Sequence, residues 1–128
     1  MRKGKITPNG VVLETHENAT VVFMTEQGFG VELIPPSQLK GTRTPDIRMN
    51  GLEWEMKAPI GKSTNTIKRA FKSAIRQSDN IIFDLHNSQL SDDINIMKLE
   101  KEFGDIQKAK RLLIVTKAHG LIEKDKQK

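Results

Sequence analysis

Positions 45 to 57 read Pro-Asp-Ile-Arg-Met-Asn-Gly-Leu-Glu-Trp-Glu-Met-Lys, a stretch that brings the carboxylates Asp46 and Glu55 and the amine of Lys57 close together in sequence. Asn50-Gly51 at its centre predicts a two-residue type I′ turn, because both central residues of that turn need positive φ. The register follows from the turn: Met49 faces Leu52, Arg48 faces Glu53, Ile47 faces Trp54 and Asp46 faces Glu55. Side chains alternate along a strand, so Ile47, Met49, Leu52, Trp54 and Met56 share an apolar face while Asp46, Arg48, Glu53, Glu55 and Lys57 share a charged one. Directly opposed, Asp46 and Glu55 would have Cβ atoms about 4.5–5.5 Å apart. Carboxylates so placed repel unless a proton or cation intervenes. Either Arg48 and Lys57 neutralise them as a solvated ladder, or the pair holds a divalent cation such as Mg²⁺ while Lys57 serves a reacting phosphate or water. The second division of labour suits cleavage of a phosphodiester.

The residues after the hairpin supply a way to hold such a substrate. Ser63 is placed to cap a helix in which Ile67, Ala70, Phe71, Ala74 and Ile75 follow the spacing of a buried stripe. Outside that stripe stand Lys62, Lys68, Arg69, Lys72 and Arg76, with Lys68, Lys72 and Arg76 at i, i+4 and i+8. They form either a solvated face or a set of contacts to a nucleic-acid backbone, to which Ser63 and Thr64 would add hydroxyls at the helix start. Gln77, next to the apolar Ala74 stripe, is a candidate hydrogen-bonding partner for the charged face of the hairpin. Gly61-Lys62-Ser63-Thr64 is not a nucleotide-binding loop, since the first glycine of that motif would fall at Met56. His16 is a candidate general acid or base for a metal-free ribonuclease, in which an imidazole handles the 2′-hydroxyl proton. No His pair has zinc-site spacing.

The elements needed to position these groups are legible at coarse scale. Thr15 opens a first helix that stops at Gly28, with Ala19, Val22 and Phe23 at helical spacing. A short strand, Gly30 to Ile34, closes at Pro35-Pro36, and the polar connection Ser37 to Thr44 leads into the hairpin. After the second helix come the strand Ile81 to Leu85, a third helix from Ser91 to about Lys108, and the strand Arg111 to Lys117. This order, α-β-β-β-α-β-α-β, predicts a single domain with a central mixed sheet flanked by helices. Residues 1–14 read as an N-terminal arm, 15–122 as the folded domain, and 123–128 as a charged, frayed tail that follows a last hairpin arm after Gly120.

Composition narrows the function classes. With 128 residues the chain has one domain's worth of core, and with no cysteine it has no disulfide, thiolate metal site or cysteine nucleophile. Apolar runs such as Leu112 to Val115 fall far short of the ~20 residues of a membrane span, so the sequence reads as that of a soluble domain. The net charge of +5 biases it toward polyanions.

Pro45-Asp46 followed by Glu55-Met56-Lys57 resembles the Pro-Asp…(Asp/Glu)-x-Lys, or PD-(D/E)xK, signature of restriction-endonuclease-like nucleases, and the element order resembles their core. That resemblance implies metal binding by Asp46 and Glu55, a catalytic role for Lys57, and assistance from Glu17 in the first helix. A longer resemblance joins His16-Glu17, Gly28 with Val31-Glu32-Leu33, Thr44-Pro45-Asp46, Asn50-Gly51, Trp54 to Lys57, Pro59, Gln77 and Ile81 to Leu85. These residues are similar to the C-terminal tRNA nuclease domain of CdiA-type contact-dependent growth inhibition toxins and related bacterial polymorphic toxins. The resemblance implies a bacterial toxin endoribonuclease cutting tRNA, carried at the end of a secreted or cell-surface protein, acting in target-cell cytoplasm and neutralised by a cognate immunity protein. Its cofactor would be Mg²⁺ or another divalent cation, with the metal-free route left open. A DNA-directed restriction-like nuclease and a non-catalytic nucleic-acid-binding module are the competing readings.

Overall fold

The computed structural model describes residues 3–36 and 44–126; most of the connection expected at Ser37 to Thr44 lies outside them. Ten elements follow in order: β1 (Ile6–Thr7), α1 (Thr15–Glu26), β2 (Val31–Leu33), β3 (Ile47–Met49), β4 (Leu52–Lys57), α2 (Thr64–Ile75), β5 (Asn80–Asp84), α3 (Asp92–Asp105), β6 (Arg111–Val115) and β7 (Leu121–Asp125). The strands form one mixed sheet in chain order. Its first pair is parallel, β2–β3–β4 antiparallel, β4–β5–β6 parallel and β6–β7 antiparallel. The expected core order stands, with one strand added at each end. β1 draws the N-terminal arm into the sheet through Ile6 and Thr7, and β7 carries the last strand past residue 122. Glu123 to Asp125, expected to fray, instead pair with Leu113 to Arg111 because a hairpin partner satisfies their backbone groups.

Local chemistry explains the helix limits. Ser63 Oγ accepts the Asn65 N–H and Ser91 Oγ accepts the Ile94 N–H, so both serines act as the expected N-caps. In α1 the N-cap is Glu14, whose N–H donates to Glu17 Oε1 at 3.2 Å, and the helix ends against Gly28 at φ +97°. α3 stops at Asp105, three residues before the expected Lys108.

The sheet is buried on both faces. Val21 and Met24 of α1 pack on Val31, Leu33, Ile47, Met49, Trp54, Met56, Ile82 and Val115. Ile67 and Phe71 of α2, with Leu99 and Phe103 of α3, pack on Ile81, Phe83, Leu112 and Ile114 opposite. The Phe71 and Phe83 rings stack at 5.7 Å. The apolar face expected of the hairpin is therefore the α1 face, and Trp54 is buried there with its indole N–H donating to the Met49 carbonyl. The inward face of α1 differs from expectation: Thr20, Val21, Met24 and Thr25 are buried, whereas Ala19 and Val22 are exposed and Phe23 is half-buried. Two buried threonines on that face, each with its hydroxyl bonded, hid the stripe from an apolar pattern.

Candidate active site

Asn50 and Gly51 both adopt positive φ, +56° and +73°, and the register is the one the turn dictates: Met49 with Leu52, Arg48 with Glu53, Ile47 with Trp54. The ladder ends there. At the next position the Asp46 N–H donates to the Trp54 carbonyl and Asp46 Oδ2 accepts the Met56 N–H at 2.8 Å, so the aspartate side chain replaces a backbone carbonyl as acceptor. Asp46 is thereby fixed beside Glu55 by a side-chain bond as well as by its backbone bond to Trp54.

Glu55 is 7 % exposed, and burial first, then the Asp46 carboxylate, pushes it up to about 8 against the opposing pull of Lys57. Lys57 Nζ lies 3.6 Å from Glu55 Oε2 and donates to Ser73 Oγ at 3.3 Å. Glu55 Oε1 is buried with no hydrogen-bond partner among the described residues. α2 is tied along β4 in the opposite direction, since Ser78 Oγ and Asn80 Nδ2 both donate to the Glu53 carbonyl while Ser73 meets Lys57. Gln77 falls one turn beyond Ser73 in that direction, in a groove it shares with Pro45, and its buried Oε1 also has no partner among the described residues. Ser73 was not anticipated from the sequence. Its i−4 relation to Gln77 was the available signal.

The surface-ladder reading fails for Arg48, which turns to Glu32 at 3.2 Å and Glu53 at 3.0 Å, away from the buried pair. Those three exposed residues form the solvated ladder; Asp46, Glu55 and Lys57 form a separate, partly buried cluster. Glu17 and His16 sit at the start of α1, on the helix that covers the other face. The Glu17 carboxylate accepts its own helix's first N–H, and the half-exposed His16 ring lies 3.6 Å from Glu14. Among the described residues no group of three or more His, Asp or Glu side chains stands close enough to hold a metal together. Of the expected backbone contacts, Lys62, Ser63, Thr64, Lys68, Lys72 and Arg76 are all exposed, with the Ser63 hydroxyl committed to its cap. The charge of Lys68, behind the hydrogen bond and charge of Lys101 and the charge of Lys98, adds to the field that holds Asp105 of α3 below the usual carboxylate range.

The described residues form a mixed α/β domain, a helix-flanked sheet whose central hairpin presents paired carboxylates and a lysine beneath the following helix. The family model described as "Contact-dependent growth inhibition CdiA C-terminal domain" matches residues 43–121, and the chain belongs to that family. A comparison with curated proteins gives no significant match. Among solved structures, "CdiA-CT/CdiI toxin and immunity complex from Burkholderia pseudomallei" matches with a TM-score of 0.73 at 18% identity, over 95% of this chain and 99% of that one. Among the described residues no helix is long and apolar enough to cross a membrane.

Proposed function

We propose that this domain is a toxin endoribonuclease that cleaves phosphodiester bonds in tRNA inside a target cell and is neutralised by a cognate immunity protein. The observation that carries the nuclease reading is the convergence of Asp46, Glu55 and Lys57 Nζ against Ser73 in one partly buried cluster. The toxin and the immunity partner are supported by family membership, with the Burkholderia pseudomallei toxin and immunity complex as the structural parallel, and the tRNA substrate by the sequence resemblance alone.

The donor set suits a divalent cation of the Mg²⁺ kind. Such an ion is commonly held by one or two carboxylates, its remaining positions going to water and substrate phosphate. Asp46 and Glu55 would hold it, and the buried, unpartnered Glu55 Oε1 is an open acceptor facing that role. When bound, the cation neutralises phosphate charge and lowers the pKa of a coordinated water. The chain's own groups do the rest. Lys57, oriented by Ser73 and Glu55, places a positive charge where the phosphate gains negative charge. Asp46 is held in place by the Met56 N–H donating to its Oδ2. The exposed cations of α2 hold the substrate backbone without reading sequence.

Incubating the domain separately with tRNA and plasmid DNA, with Mg²⁺ or with EDTA, tests the reading. Cleavage of tRNA that EDTA stops and that Asp46→Ala and Lys57→Ala abolish, with unchanged circular dichroism, supports it. Plasmid cleavage alone would make it a DNA nuclease, EDTA-resistant tRNA cleavage would remove the cation, and absence of any turnover would leave a binding module.

A further inference from the structure

On the α1 face, at the C-terminal ends of β5 and β6, lies a cavity of about 180 Å³ that is separate from both the Asp46, Glu55 and Lys57 cluster and the basic face of α2. Phe23 and Ala19 of α1 form one wall, and the imidazoles of His86 and His119 another, their ring centroids 5.4 Å apart and tilted by 45°. Two carboxylates join them: exposed Glu26 and buried Asp84. The fittings are fixed. Asp84 Oδ2 accepts the Thr20 hydroxyl at 2.6 Å and Oδ1 accepts the His86 N–H at 2.9 Å, which ties helix, strand and histidine together. His119 sits at φ +64°, a conformation that L residues with side chains seldom adopt, held by its N–H to the Thr116 carbonyl.

We propose that this cavity is a nucleobase pocket that receives an unstacked base of the nucleic-acid substrate and favours bases bearing an exocyclic amine, namely adenine, cytosine and guanine, over uracil. The inference rests on the reading of the domain as acting on nucleic acid. Its volume is below that of pockets for drug-sized ligands and suits one planar ring system. Aromatic walls of Phe and His are the usual stacking surface for splayed-out bases. The lining holds no Lys or Arg, so the site does not suit a phosphate, whereas carboxylate oxygens accept from amino groups such as cytosine N4. Both Asp84 oxygens retain acceptor capacity beyond their present bonds. Uracil has a carbonyl where cytosine carries its amine and would face the carboxylates unfavourably. Position favours the same occupant: Lys57 pairs with Phe83 and Asp84 follows directly, so the pocket and the phosphate-cleaving cluster lie at the same end of the sheet, on opposite faces.

Titrating the full chain with AMP, CMP, GMP, UMP and ribose 5-phosphate while following the His86 and His119 imidazole resonances by NMR tests the proposal without requiring turnover. The expected result is a saturable shift of both resonances with at least one amino-bearing nucleotide and a response at least fivefold weaker to UMP and ribose 5-phosphate. Two exposed-site variants, His86→Ala and His119→Gly, the latter suited to the positive φ, are expected to lose that response. Each should raise KM for RNA about tenfold at unchanged kcat, the scale of one lost stacking contact. No shift with any nucleotide, or an equal response to UMP or ribose 5-phosphate, would overturn it. If nucleotides bind but RNA is not cut, the pocket stands and the nuclease reading falls; if RNA is cut but no nucleotide binds, the nuclease reading stands and the pocket falls.

Discussion

At the residue scale the buried Glu55 makes the domain's stability depend on pH. Its carboxyl is raised from the ordinary 4.5 to about 8, so the folded chain retains a proton that the unfolded chain releases. For a raised acid the sign is fixed: the contribution is fully present below about 4.5 and is lost as pH rises through about 8. In EDTA, urea midpoints should therefore fall between pH 5 and 8, and Glu55→Gln should flatten the decline. A wild-type profile that is flat, or that Glu55→Gln leaves unaltered, refutes the assignment. Added Mg²⁺ should raise the midpoint at pH 8 in the wild type and not in Glu55→Gln, because a ligand stabilises the form it binds. Ser73 offers a second test. Its hydroxyl accepts from Lys57 Nζ, and a hydrogen bond to a charged group is worth about 1.5–3 kcal/mol. Ser73→Ala should lower kcat at least tenfold with little change in KM or circular dichroism, while Ser73→Thr keeps the hydroxyl and part of the activity. Equal kcat for both variants would reduce Ser73 to packing.

At the element scale the hairpin was legible because one dipeptide determines it: Asn50-Gly51 sets the turn, and the turn sets which side chains share a face. The break in the ladder at Asp46 was not, since it arises when a side chain outcompetes a carbonyl for the Met56 N–H, a choice made in three dimensions. α2 declared itself by an unbroken apolar stripe. α1 did not, because part of its attachment to the sheet is polar. Thr20 donates to Asp84 across the interface, and neither residue signals the other at a separation of 64 in sequence. That clamp predicts an asymmetry between two near-isosteric changes. Thr20→Val leaves the buried Asp84 short of a donor and should cost about 1–3 kcal/mol, read as a lowered urea midpoint. Thr20→Ser keeps the donor and should cost clearly less. A reversed order would mean that the methyl group, not the hydroxyl, secures α1.

At the scale of the whole molecule, the +5 charge suggested a polyanion, and only the fold shows how its cations are distributed. Lys72 on α2 and Arg76 at its C-cap are exposed near Ser73 and Gln77, Arg48 is bound within its carboxylate ladder, and Lys68 shares its field with Asp105. Net charge therefore overstates what a nucleic acid would meet, and the salt dependence of binding can count the difference. Each phosphate neutralised contributes about 0.7 to the slope of log K against log salt for a single strand and about 0.9 for B-DNA. With tRNA bound to the Glu55→Gln protein in EDTA, which removes no positive charge, Lys72→Gln with Arg76→Gln should make that slope shallower by roughly 1.4 to 1.8. Lys68→Gln should change it by less than one such unit, because part of that charge is already answered within the protein. Fluorescence anisotropy across a salt titration from roughly 50 to 300 mM resolves the two cases. If the double variant leaves the slope unchanged, the outer face of α2 does not carry the substrate backbone, and the phosphate path must cross the sheet by another route to reach Lys57.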